Sequence, residues 1–132
     1  MRAALLLSLV LAGPVAAQDV LDCAADGLMP GEMVVCAQNG WAEADAVMDE
    51  TYRLALVQAQ VLDEAAAAPE GVTAEDALRA SQEVFLTYRD AACAAEALLV
   101  AGTRAEDLAG PLCLTRLTER RIADLTVYGA IE

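Results

Sequence analysis

Four cysteines, Cys23, Cys36, Cys93 and Cys113, constrain this chain more than any other feature. All four lie beyond a leader-like start. Met1-Arg2 is a short positive segment, Ala3 to Ala12 is mostly apolar, Gly13-Pro14 breaks the run, and Val15-Ala16-Ala17 supplies small residues before Gln18. That order predicts a secretory signal peptide over 1–17 and one small domain over 18–132. The apolar run is too short to span a membrane, which takes about 20 residues. No cysteine directly follows the small residues, so a lipid-modified start is not indicated. The expected location is therefore the periplasm or the exterior. An even cysteine count in a short exported chain implies disulfides. Three pairings are possible, and the sequence alone does not choose among them. Cys23–Cys36 with Cys93–Cys113 closes the shortest loops, each worth about 3 kcal/mol in the chain-entropy account. Zinc is not expected, because the chain has no CxxC pair and no His.

Between the cysteines the apolar pattern is helical. Gln18 to Pro30 reads as an irregular arm held by Cys23. Its Asp22 and Asp26-Gly27 lack the regular ligand spacing of a calcium loop. From about Gly31 to Ala67, apolar or small residues recur at Ala37, Trp41, Ala44, Met48, Ala55, Ala59 and Leu62, in steps of three, four or seven. That is a buried helical stripe. Pro69-Glu70-Gly71 ends it. A second helix is predicted from Thr73, whose Thr73-Ala74-Glu75-Asp76 resembles a capping box, to about Val100. Its expected inward row is Ala74, Leu78, Ser81, Phe85, Tyr88, Ala92, Ala95 and Leu99. Gly102 and Gly110-Pro111 bracket an expected connection, Val100–Gly110. A third helix is predicted over Pro111–Tyr128, since proline suits a first turn. Its face is Leu114, Leu117, Arg121, Leu125 and Tyr128. The expected fold is all-α: a small antiparallel three-helix bundle with a disulfide-stapled N-terminal arm.

The chemistry open to such a chain is narrow. With no His or Lys, and Ser81 the only serine after the leader, a Ser-His-Asp or Cys-His arrangement is impossible. No glycine-rich loop has phosphate-cradling spacing. No enzyme activity, cofactor or metal is expected. The formal net charge is −13, which repels nucleic acid and anionic lipid and favours a basic protein partner. Arg89, Asp90 and Arg121 are the polar residues expected to be partly buried, and Arg121 interrupts the third helix's apolar face. They are read as a structural ion pair tying the second helix to the third, because an unpaired buried charge costs several kcal/mol. Trp41 and Tyr52 fall on or beside the first stripe and are expected in the core rather than at a partner surface.

A wider pattern overlays these elements. Glu32, Cys36, Ala44-Asp45, Met48-Asp49 and Tyr52 are followed by Gln82, Phe85, Arg89-Asp90 and Cys93. Gly102-Thr103, Cys113, Thr118, Arg121 and Leu125 complete it. This order resembles the LprI-like lysozyme-inhibitor family, in its N-terminal domain, over almost all of 18–132. Three positions depart from the family's pattern: Phe85 for Trp, Asp49 for Asn and Thr103 for Ser. The resemblance implies a small exported helical domain with the family's cysteine framework and, for its characterised branch, inhibition of lysozyme. An acidic chain suits a basic lysozyme. The expected partner-binding segment is the exposed connection Val100–Gly110, which carries Arg104, Glu106 and Asp107, with the two acids meeting the basic rim. The alternative is a periplasmic structural or adaptor domain with another envelope partner.

Overall fold

A computed structural model of the chain describes residues 21–65 and 71–130. The segment 1–17, read as a signal peptide, lies outside them. Three helices follow one another: α1 over Pro30–Glu64, α2 over Ala74–Leu99 and α3 over Glu106–Thr126, with a short 3₁₀ turn at Val127–Ala130. No strand occurs among the described residues.

Each helix begins for a local reason. Pro30 opens α1, and the Met29 N–H donates to Glu32 Oε2 at 2.7 Å. A first-turn proline forfeits no intrahelical bond. Thr73 caps α2, its hydroxyl accepting from the Asp76 N–H at 3.0 Å. A second cap comes from α1. Asp63 accepts from the N–H groups of Ala74 and Glu75, at 2.6 and 3.0 Å. One carboxylate thus satisfies two free donors at the positive end of α2.

The start of α3 corrects the expectation. Glu106–Gly110 is helix, not connection, and Pro111 lies inside α3. Proline there removes the bond to the carbonyl four residues back, yet the helix continues. The turn before it is well anchored. Gly102 takes φ +75, its N–H donates to Glu106 Oε2 at 2.7 Å, and the Thr103 hydroxyl accepts from the Ala105 N–H at 3.2 Å. Glu106 and Asp107 sit in the first turn, where the helix dipole favours acids.

The contacts order the helices. Along α1, Asp45, Met48, Gln60 and Asp63 meet Arg89, Gln82, Glu75 and Ala74 of α2 in descending order. Along α2, Cys93, Arg89 and Gln82 meet Cys113, Thr118 and Arg121 of α3. The disulfides are Cys23–Cys36 and Cys93–Cys113. The first ties the N-terminal arm to α1; the second clamps α2 to α3.

The core has two apolar parts. One gathers Met48, Ala55, Ala59, Leu78 and Leu125, with Tyr52, Phe85 and Ile122 packed against them. The other is Cys93, Cys113 and Leu117, with Ala92 and Leu114. The α1 stripe is as expected at Ala44, Met48, Ala55 and Ala59. The α2 row is not. Ser81, Tyr88, Ala95 and Leu99 are exposed, whereas Gln82 and Arg89 are buried. The inward face of α2 is turned one position from the purely apolar choice, because two polar residues on it find partners.

Candidate functional site

The polar residues singled out in the sequence gather around Arg89. Its position on α2 falls between Leu86 of the larger core part and Ala92 of the smaller one. Arg89 is only 6% exposed. Its Nη1 donates to Asp45 Oδ1 on α1 at 2.6 Å and to Thr118 Oγ1 on α3 at 3.3 Å. Its Nε donates to Asp90 Oδ1 at 2.9 Å. The guanidinium carbon lies 5.9 Å from the centre of the Trp41 ring, a cation–π distance. All three helices therefore meet at one guanidinium. Burial acts to lower the pKa of Arg89, but its hydrogen bonds to the Asp90 and Asp45 carboxylates outweigh it and hold the group above its ordinary value. The charge is fixed at every accessible pH.

Arg121 does not join this ion pair. Its Nε donates to Gln82 Oε1 at 2.9 Å and its Nη2 to Ser81 Oγ at 3.0 Å, with the guanidinium 5.4 Å from the centre of the Phe85 ring. No acid among the described residues pairs with it. Gln82 in turn directs its amide at Met48 Sδ, at 3.7 Å. Arg121 thus links α3 to α2 through an amide and a hydroxyl. It reaches the rim, half-buried. Ser81, Gln82 and Phe85 of α2 supply its contacts, while Asp124 lines the same surface depression without pairing with it.

Asp45 is the partner of Arg89 that sequence reading passed over. One signal was present. Trp41 and Asp45 are four apart, so they share one flank of α1 beside the Ala44–Met48 stripe. Thr118 is completely buried, and its hydroxyl is the third contact of Arg89. Trp41 is half-buried, and its indole N–H has no acceptor among the described residues.

Besides a depression lined by Arg121, Asp124, Val127 and Tyr128, two more lie along the helices. One of about 430 Å³ is lined by Trp41, Arg89, Asp90, Ala97, Gly110 and Leu114. The other, of about 390 Å³, lies between the starts of α1 and α3 and is lined by Pro30, Met33, Val34, Arg104, Asp107 and Leu108. Arg104 and Asp107 therefore share a wall. Glu106 is turned back onto Gly102. All three are exposed, but the two acids are held on a helix rather than a loose loop. Among the described residues, no group of three or more His, Cys, Asp or Glu is placed to hold a metal ion. No helix among them is long and apolar enough to cross a membrane.

Nothing in this arrangement couples an acid and a base across a cleft. Arg89 and its carboxylates are spent on each other. Comparison with known proteins places the chain in a family. The family model described as lysozyme inhibitor LprI matches residues 23–125. Uncharacterized protein R02472 of Rhizobium meliloti (strain 1021) is 29% identical over 96 residues, covering 71% of this chain and 69% of that protein. No solved structure matches the chain.

Proposed function

The chain belongs to the lysozyme inhibitor LprI family, and from that membership we propose that it is an exported, non-enzymatic binding protein whose target is a basic lysozyme. The observation that carries the reading is the family match over 23–125, which takes in both disulfides and nearly all of the three helices. Two physical features support it. The formal net charge of −13 speeds encounter with a cationic target and makes binding fall with salt. The two disulfides suit an oxidising compartment outside the cytoplasm. The proposed domain is 18–132, released by cleavage near Ala17.

Inhibition needs no catalysis from the chain. A rigid acidic body seated at the rim of a substrate cleft blocks access by occupancy alone. Rigidity matters because an interface that is already ordered loses less entropy on binding. The Arg89 junction and the Cys93–Cys113 clamp supply that order.

The test is a cell-wall lysis assay with the purified mature chain and a basic animal-type lysozyme at low ionic strength. The expected result is stoichiometric loss of lysis, relieved as salt is raised. Unchanged lysozyme turnover at stoichiometric protein removes the inhibitor reading.

A further inference from the structure

The solvent face of α2 is built the wrong way round for a helix that faces only water. Its core-facing row holds Gln82 and Arg89, both buried. Its outer row is Ala80, Val84, Tyr88, Ala91, Ala95 and Leu98, at steps of three and four, and every member is exposed. Val84 is 68% exposed, Tyr88 60%, Leu98 74% and the adjoining Leu99 85%. No charged residue falls on this row. The other two helices differ. The exposed valines and leucines of α1 are interspersed with Glu43, Glu50, Arg53 and Glu64, and α3 exposes Glu119, Arg120 and Asp124.

A helix that packs one face on the core and leaves an apolar row on the other keeps a surface free for a partner. The row runs about 30 Å at 1.5 Å per residue. Contiguous exposed apolar surface of this kind marks an interaction site. One border states the chemistry of the occupant. Asp76, Glu83 and Asp90 repeat at seven-residue steps, roughly a quarter turn from the apolar row, and all three are exposed. Asp90 already serves Arg89; Asp76 and Glu83 take part in no ion pair among the described residues.

We propose that the outer face of α2, from Ala80 to Leu99, is the docking surface, and that its occupant is a basic protein presenting an apolar patch edged by Lys or Arg. The proposal rests on the lysozyme-binding reading and moves the contact away from Arg104, Glu106 and Asp107. Charge selects the occupant. A second copy would bring together two chains of formal charge −13, each with the same acidic row. An anionic membrane surface is repelled by that row as well. A cationic protein gains both the apolar area and the charge match, with Tyr88 as the aromatic anchor.

The experiment measures binding of the mature chain to a basic animal-type lysozyme by calorimetry at low salt. Tyr88→Asp and Val84→Asp are the probes. Both sites are exposed, and circular dichroism confirms that each variant folds. Each is expected to weaken binding by about tenfold or more. Leu54→Asp, on the outer face of α1, is expected to bind as the parent does. Glu83→Lys is expected to weaken binding and flatten its salt dependence. A parent that binds while both α2 variants bind equally well overturns the placement and leaves the lysozyme reading intact. A parent that does not bind overturns both. Sedimentation of the parent alone as a dimer that Tyr88→Asp dissociates overturns the choice of partner, because the face is then used by a second copy.

Discussion

Asp45 on α1 and Arg89 on α2 lie 44 residues apart in the chain and 2.6 Å apart in the fold. The two ends of this contact are not equivalent. The Arg89 side chain is almost sealed, while those of Asp45 and Asp90 both reach water.

That asymmetry predicts an order of effects. Replacing both acids, Asp45→Ala with Asp90→Ala, strands a buried cation and should cost about 3–5 kcal/mol. Arg89→Met strands only carboxylates that can hydrate, and its apolar stem keeps packing, so it should cost clearly less. Urea unfolding of the three proteins checks the order. An Arg89→Met variant less stable than the double-acid variant would show that the cation is not the costly partner.

Asp63 should matter beyond its own helix. It caps α2 from α1 through two backbone N–H groups. Asp63→Ala is expected to cost about 1 kcal/mol, the usual scale of a lost helix cap. Hydrogen exchange should rise first at Ala74 and Glu75. An unchanged exchange rate there means that Thr73 caps the helix without help.

The two disulfides should contribute unequally. Loop entropy alone gives both about 3 kcal/mol, since the loops differ little in length. Packing separates them. Cys93 and Cys113 are buried beside Leu117, whereas Cys23 is exposed on the arm. Replacing Cys93 and Cys113 by Ala should therefore lower stability more than replacing Cys23 and Cys36. Equal losses in denaturant titration would assign the effect to loop closure alone.

Acid should weaken one surface contact in a defined direction. The Arg79 guanidinium, with the Gln60 amide, holds the Glu75 carboxyl below its ordinary value. A depressed folded-state pKa contributes stability above the unfolded value and loses it as pH falls through the folded value. The Tm difference between the parent and Glu75→Gln should thus shrink on acidification below about pH 4.5, the unperturbed carboxylate range. The pair is exposed, so added salt at neutral pH should shrink the difference too. A difference independent of both pH and salt means that the ion pair contributes nothing.

Much of the architecture was legible because periodicity reports it directly. The α1 stripe from Ala44 to Ala59 is read from its spacing, and Thr73 marks the start of α2 by its hydroxyl. The disulfide pairing is the one that closes the shortest loops. The α2 face was misread because that helix carries two apolar rows, and hydropathy cannot tell which of them is covered. Gln82 and Arg89 are buried only because Arg121, Met48, Asp45 and Thr118 arrive from other helices. No local window contains that information. The start of α3 was misplaced because Pro111 is a strong first-turn signal, and its helix forms around the missing bond all the same. Placing Arg121 in an ion pair failed for a related reason, since an amide and a hydroxyl lie closer than any acid.

The clamp between Cys93 and Cys113 encloses the turn that carries Arg104. This turn is exposed, and Arg104 on it is an accessible site for a trypsin-like protease. Such a cut opens the chain without separating it, because both sides of the nick remain joined through sulfur. The cleaved protein should migrate as one band without reductant and as two with it, while α2 and α3 keep each other's company. The bridge therefore keeps the two helices paired after a cut in the turn between them as well as before it.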